Sequence, residues 1–97
     1  MCTNAECISI LKSNLPRIKE EFGVTGMSIF GSVARGDSLD DSDVDIIVSM
    51  PPKIFMLSAL KYFLEKILNN SVDLIRRHPH MSEKFLKEIS RDEIAIF

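Results

Sequence analysis

Apolar residues recur along this chain with the periods of two different secondary structures. Between Ile54 and Asn69 they return every three or four positions, which places them on one face of an α-helix. These positions are Met56, Leu60, Phe63, Leu64, Ile67 and Leu68. Three shorter apolar runs, Met27–Phe30, Val44–Val48 and Ser71–Ile75, have the length and composition of β-strands. The pattern therefore predicts a long helix packed on a small sheet.

Capping and stop signals predict further helices at both ends of the chain. Thr3 or Asn4 can cap a first helix through a side-chain oxygen. Pro16 is tolerated only in a first helical turn, so a second helix is predicted to restart near residues 13–14 and to end at Gly23. Ser82 is predicted to cap a last helix.

The order of these elements predicts an α/β (α+β two-layer) domain. We expect a small mixed β-sheet with helices on one face, and a fourth short strand within Asp92–Phe97. Residues 1–97, of which 45% are hydrophobic, leave no room for a second core. The whole sequence is therefore expected to form one domain.

Two carboxylates stand where the second strand begins. Asp43 and Asp45 are two positions apart and project to the same side, whereas Val44 and Ile46 project to the other. Like charges placed side by side on a strand repel each other. A hard divalent cation such as Mg²⁺, bound by carboxylates and completed by substrate phosphates, removes that repulsion. The pair therefore predicts a magnesium site.

A calcium-binding loop is excluded by counting from the same residues. If Asp41, Asp43 and Asp45 were its positions 1, 3 and 5, position 6 would be Gly and position 12 Glu. The chain has Ile46 and Pro52 at those places.

Gly31 and Ser32 follow the first strand and are predicted to form a tight turn that leads into a short helical turn. Backbone amides at such a turn point outward and bind anions. Gly31 lets a phosphate approach the backbone closely, and the Ser32 hydroxyl adds a donor. A Gly-Ser pair alone is a weak signal, but here it is followed, after ten intervening residues, by Asp43 and Asp45.

With Arg35-Gly36 and Ser42 also in place, this pattern resembles the nucleotidyltransferase superfamily that includes DNA polymerase β. Within it, Gly-Ser-x-Ala-Arg-Gly followed by Ser-Asp-x-Asp is similar to the MNT-type minimal nucleotidyltransferases, antitoxin partners of HEPN-domain toxins. The motif covers about a fifth of the chain, and the order of elements matches over nearly all of it.

The resemblance implies a polymerase-β-like nucleotidyltransferase fold and assigns roles to particular residues. Asp43, Asp45 and Asp73 would be both catalytic residues and the ligands of two Mg²⁺ ions. Nucleotide and phosphate binding would involve Gly31, Ser32, Arg35 and Ser42. The implied reaction transfers AMP from ATP to a hydroxyl acceptor, a tyrosine of a HEPN-type toxin, which silences the toxin.

Asp73 is the third carboxylate, and the residues leave two interpretations open. Aspartate is disfavoured within a strand of Val, Leu and Ile. It could face water from an edge strand. Alternatively, it could complete a two-ion phosphoryl-transfer site beside Asp43 and Asp45. The superfamily has its third carboxylate on such a strand, and only Asp73 matches it here.

A function of a different class also fits the sequence. The chain could be a non-catalytic nucleotide-sensing or toxin-binding module that inhibits by steric contact. The intact motif and the third carboxylate favour catalysis, because a decayed site usually loses a carboxylate first. A partner labelled from ATP would support the enzyme, whereas tight binding to the partner with no label from any nucleotide would support the module.

Composition limits the partners further. The formal net charge is −2 with no long basic run, which argues against direct binding of nucleic acid. The sequence contains no apolar run of membrane-spanning length. Cys2 and Cys7 are the two cysteines of the sequence and are interpreted as inert thiols in a reducing cytoplasm.

The basic segment after the third strand supports two interpretations. Arg76, Arg77 and His78 could be solvated loop residues, or they could contact the nucleotide or a partner. His78 and His80 lack the nearby Cys or third His that a tetrahedral metal site needs.

Overall fold

The computed structural model describes residues 3–39 and 42–97 of the chain. Its elements, in chain order, are α1 Asn4–Ser13, α2 Leu15–Phe22, β1 Gly26–Phe30, α3 Gly31–Arg35, β2 Val44–Ser49, α4 Ile54–Leu68, β3 Val72–Arg76, α5 Glu83–Asp92 and β4 Ile94–Ala95. Every predicted helix and strand is present, and the differences at their ends are one or two residues wherever the prediction fixed an end.

The residues predicted to start and stop helices do so through identifiable contacts. The Thr3 hydroxyl accepts a hydrogen bond from the backbone N–H of Glu6, and the Ser82 hydroxyl accepts one from Phe85. Pro16 lies in the first turn of α2, where no intrahelical N–H donor is needed. Gly23 ends α2 in the left-handed conformation, with a φ of 68°.

The four strands form one mixed sheet in the order β3-β2-β1-β4. β1 pairs antiparallel with both β2 and β4, whereas β2 and β3 are parallel. Parallel neighbours need a long crossover, which α4 provides between β2 and β3. This parallel pair brings the first residues of β2 and β3 to the same edge of the sheet, where edge means the side formed by the N-terminal ends of these two strands.

One face of the sheet carries the main core. Val44, Ile46 and Val48 of β2 point to this face and are almost completely buried. They pack with apolar residues of α1, α2 and α4, including Cys7, Leu11, Ile18, Leu60 and Leu64. The mixed sheet with helices packed on it is therefore confirmed.

The opposite face carries Asp45 near one end and Ile47 in the middle. Ile47 is 1% exposed although it does not belong to the main core, so this face is partly covered. Helix α5 packs against β1 and α3. None of the described helices has the length and apolarity needed to span a bilayer.

Candidate functional site

Asp45 and Asp73 lie side by side on neighbouring parallel strands. Each is the second residue of its strand, and the register pairs them directly. Adjacent strands lie about 4.8 Å apart in the hydrogen-bonding direction, and in-register residues of a parallel pair point to the same face. Asp43 directly precedes β2 and is exposed. The fold therefore brings the three predicted carboxylates to one edge of the sheet.

The environment of Asp45 disfavours its charged form. Partial burial raises the pKa of the Asp45 carboxyl, and the negative charges of Asp73 and Asp43 raise it further. The Arg35 guanidinium lowers this pKa, as the weakest of the four influences. Asp45 is therefore a carboxylate whose negative charge is under-compensated by the protein itself.

Gly31 is fitted closely to Asp45. Its φ is 73°, a left-handed conformation that side chains other than glycine rarely adopt. A Cβ atom at this position would overlap the Asp45 carboxylate oxygen Oδ2 and lie 3.1 Å from its Cγ. Both the backbone conformation and the space beside Asp45 therefore require glycine at residue 31.

Helix α3 begins at Gly31 and places the Gly-Ser turn beside the carboxylates. It contacts β1 and β2, and Phe30, the residue before it, offers no side-chain acceptor to its first amides. The Ser32 carbonyl accepts hydrogen bonds of 3.0 Å from the N–H groups of Gly36 and Asp37, which close the helix. Ser32 itself is half-buried. The turn and the carboxylates thus form one continuous surface.

Arg35 is held by two carboxylates. Its Nε–H donates to Asp37 and its Nη1 group donates to Asp92, each at 3.1 Å. These hydrogen bonds raise the pKa of the Arg35 guanidinium. The link to Asp92 joins α3 to the end of α5, across 57 residues of sequence. No local sequence signal identified Asp37 or Asp92 as partners of this arginine.

Ser42 shapes the loop that leads to Asp43. Its hydroxyl accepts a hydrogen bond of 2.9 Å from the Leu39 N–H, and its own N–H donates to the Leu39 carbonyl at 3.0 Å. Asp40 and Asp41, between Leu39 and Ser42 in the sequence, lie outside the described residues. The contacts of Ser42 fix the chain immediately before Asp43.

The basic segment after β3 divides into residues with different contacts. Arg77 forms an ion pair of 3.2 Å with Glu93, at the rim of a cavity of about 240 Å³ on the sheet face that carries Asp45. His78 accepts a hydrogen bond through Nδ1 from the His80 backbone N–H, so this pair forms a local turn. Arg76 donates to the Arg77 carbonyl.

The oxygen donors at this edge fit a hard divalent cation. Within residues 3–39 and 42–97, no three acidic, histidine or cysteine side chains converge closely enough to hold an ion as they stand. The observation that supports the fit is electrostatic: Asp43 and Asp73 each raise the pKa of Asp45, so added positive charge between them relieves repulsion. Asp43, Asp45 and Asp73 are the residues that could bind it.

A mixed sheet with a Gly-Ser turn and carboxylates at one edge defines a protein of the nucleotidyltransferase class. The chain belongs to the nucleotidyltransferase domain family, whose model matches residues 11–97. It is 38% identical to the protein adenylyltransferase MntA of Thermococcus cleftensis over 79 residues, which cover 79% of this chain and 80% of that relative.

Solved structures share the fold. One, provisionally assigned as a minimal nucleotidyltransferase, superimposes with a TM-score of 0.72 at 25% identity, over 90% of this chain and 93% of that one. Another is a Shewanella oneidensis complex of a tri-AMPylated HEPN toxin with an MNT antitoxin. It matches with a TM-score of 0.64 at 15% identity, over 93% of this chain and 71% of that one. The polymerase-β-like fold inferred from the sequence is therefore confirmed.

Replacing Gly31 tests whether the turn and Asp45 form one unit. We expect Gly31→Ala to lower the free energy of unfolding by about 1–3 kcal/mol, because alanine is strained at positive φ. Displacement of the Asp45 carboxylate by the new Cβ should also abolish nucleotidyl transfer. Chemical denaturation and a transfer assay measure the two effects.

Gly23→Ala is the matched control for this prediction. Gly23 has a similar φ of 68°, but its Cβ would meet only Pro51 Cδ, at 3.8 Å. This variant should show the backbone strain and retain transfer. Normal transfer by Gly31→Ala would contradict the close fit between residue 31 and Asp45.

Proposed function

We propose that this chain is a Mg²⁺-dependent protein adenylyltransferase that transfers AMP from ATP to a tyrosine hydroxyl of a HEPN-type toxin. In this role it acts as the antitoxin of its partner in the cytoplasm. The observation that carries the proposal is the direct pairing of Asp45 with Asp73, beside Asp43 and against the Gly31 turn.

Each residue has a distinct task in the proposed reaction. The Gly31 backbone and the Ser32 hydroxyl bind the β- and γ-phosphates, and Asp43 with Asp45 would hold the Mg²⁺ that accompanies the triphosphate. When bound, Mg²⁺ would supply charge neutralisation at the triphosphate and at the attacking and leaving oxygens. Arg35 and Ser42 act at the edge of the nucleotide site, through the helix and the loop that they stabilise.

The chemical step is an in-line displacement at the α-phosphorus. The tyrosine oxygen forms a bond to this phosphorus. At the same time, the bond between the phosphorus and the bridging oxygen of the leaving pyrophosphate breaks. Asp73 accepts the tyrosine proton, and pyrophosphate leaves with the electron pair of the broken bond. The product is a tyrosine phosphodiester of AMP.

Two features support a protein as the acceptor. The Thermococcus relative is named for adenylyl transfer to protein, and the Shewanella fold neighbour comes from a complex of an AMPylated HEPN toxin with an MNT antitoxin.

Transfer can be tested with the purified chain, a HEPN-type protein as the proposed acceptor, and ATP labelled at either the α- or the γ-phosphate. We expect the α-label to appear on a partner tyrosine with Mg²⁺, and to be lost with EDTA. The γ-label should not be transferred. Partner protein in which that tyrosine is changed to phenylalanine should remain unlabelled.

The remaining outcomes of this experiment separate the alternatives. Transfer of the γ-label would indicate phosphorylation and contradict the proposal. A tight complex that carries no label with any nucleotide would identify a binding module that inhibits by steric contact. Label that persists in EDTA would remove the metal from the mechanism.

A further inference from the structure

Helix α4 has a second apolar face that the core does not use. Phe55, Ala59, Tyr62 and Lys66, named here the α4 seam, are spaced by four, three and four residues, the a and d spacing of a helix–helix contact. Phe55 is 88% exposed and Tyr62 is 61% exposed. The core instead uses Leu60, Leu64 and Leu68, on the other side of the helix.

The seam borders a groove between α2 and α4. This groove has a volume of about 450 Å³, and Phe22, Tyr62 and Phe63 are among its lining residues. The rings of Phe22 and Phe63 are in contact, with centroids 5.3 Å apart. Large exposed apolar side chains beside an apolar groove with a polar rim are typical of a protein interaction surface.

The charged residues that line the groove are both cations. Arg17 lies over the Phe63 ring and Lys66 over the Tyr62 ring, each 4.7 Å from the ring centroid. Arg17 uses its Nε–H to bind Glu21, whereas Lys66 forms no ion pair with any residue in the described ranges. The neighbouring Glu65 turns inward and accepts the Val72 N–H at 3.1 Å. The α4 seam therefore has an uncompensated positive charge.

We propose that the α4 seam and its groove dock an amphipathic helix of a partner protein, with carboxylates flanking its apolar stripe. A carboxylate beside Lys66 would supply the missing counter-charge, and apolar side chains would cover Phe55 and Tyr62. A second copy of this chain fits less well, because a symmetric contact would place the same cations opposite each other.

The position of the seam leaves the carboxylate site free. α4 packs on the core face of the sheet, whereas Asp45 and Asp73 lie on the opposite face. A partner bound at the seam therefore does not block the approach of an acceptor to Asp45. Because the two surfaces are separate, docking can be tested without relying on catalysis.

Two synthetic amphipathic helices with the same leucine stripe, one flanked by Glu and the other by Lys, test the proposal. We expect the Glu-flanked peptide to bind at least about tenfold more tightly in fluorescence anisotropy at low salt. Phe55→Ser and Tyr62→Ser should each weaken binding of this peptide by about tenfold. Lys66→Glu should abolish or reverse the charge preference.

Ser9→Glu, on the exposed side of α1, is the control for added charge and should bind as the unmodified protein does. Thermal shifts with MgATP should be the same in all variants, which separates docking from the nucleotide site. Equal binding of the two peptides, or a preference unchanged by Lys66→Glu, would overturn the proposal.

Two further results would assign the seam to a different occupant and also overturn the proposal. The first is a dimer in sedimentation that is lost in Phe55→Ser. The second is binding of anionic vesicles with no peptide binding. If AMP transfer to the HEPN-type protein failed while the peptide bound as expected, only the proposed function would be contradicted.

Discussion

Asp45→Asn should abolish AMP transfer while leaving the fold intact. Transfer is expected to fall by several orders of magnitude, because Asp45 lies at the centre of the three carboxylates and against the Gly31 turn. The metal-free variant should be at least as stable as the unmodified protein, because the substitution removes a charge that Asp73 and Asp43 repel. Transfer assays and chemical denaturation in EDTA measure these effects.

The sign of the pH dependence follows from the raised pKa of Asp45. The Asp45 carboxyl binds its proton more tightly in the folded state than in the unfolded state, where its pKa is the ordinary aspartate value of about 3.9. Stability in EDTA should therefore fall as pH rises from that value through the folded-state pKa of Asp45. Asp45→Asn should remove this contribution, whereas Glu20→Gln, at an exposed position of α2, should retain it.

Transfer at a near-normal rate by Asp45→Asn would refute the site assignment.

Asp73→Asn should lower the rate of transfer by several orders of magnitude and leave MgATP binding nearly unchanged. Asp43, Asp45 and the Gly31-Ser32 turn are proposed to bind the nucleotide in the ground state. Asp73 is proposed to act on the attacking hydroxyl, whose charge develops only in the transition state. Rate and dissociation constant should be measured on one preparation, with thermal shift by MgATP as a check on binding.

The alternative for Asp73 predicts a much smaller effect. If its exposed side chain only faces water, the rate should change less than about threefold, as for an ordinary surface substitution. Ser71→Ala, at an exposed position just before β3, is the control for local disturbance of the strand. An unchanged rate in Asp73→Asn would exclude this residue as a catalytic group.

Much of the fold was predictable because its signals are local. The apolar period of α4, the caps Thr3 and Ser82, and the stop at Gly23 depend on residues within one helical turn. The alternation of Asp45 with Val44 and Ile46 likewise predicted that these two apolar side chains would be buried, whereas the burial of Ile47 on the Asp45 face did not follow from it. Strand and helix periods determine these features without reference to the rest of the chain.

The sequence also identified Gly31-Ser32 and Asp43-x-Asp45 as one motif, because both parts lie within about fifteen residues of each other. It could not determine the position of Asp73, for which a solvated edge strand remained open. The parallel register of β2 and β3 pairs Asp73 with Asp45, and that register depends on how α4, which connects the two strands, packs on the core face of the sheet.

Other features depend on residues far apart in sequence and were decided only by the tertiary structure. Arg35 meets Asp92 across 57 residues, and the space beside Gly31 is occupied by the Asp45 carboxylate. The exposure of Phe55 and Tyr62 is a further case: apolar period alone does not reveal which face of α4 the sheet and α2 cover. Local periodicity thus determined the elements of this protein, whereas packing between distant elements determined which side chains meet and which remain available to a partner.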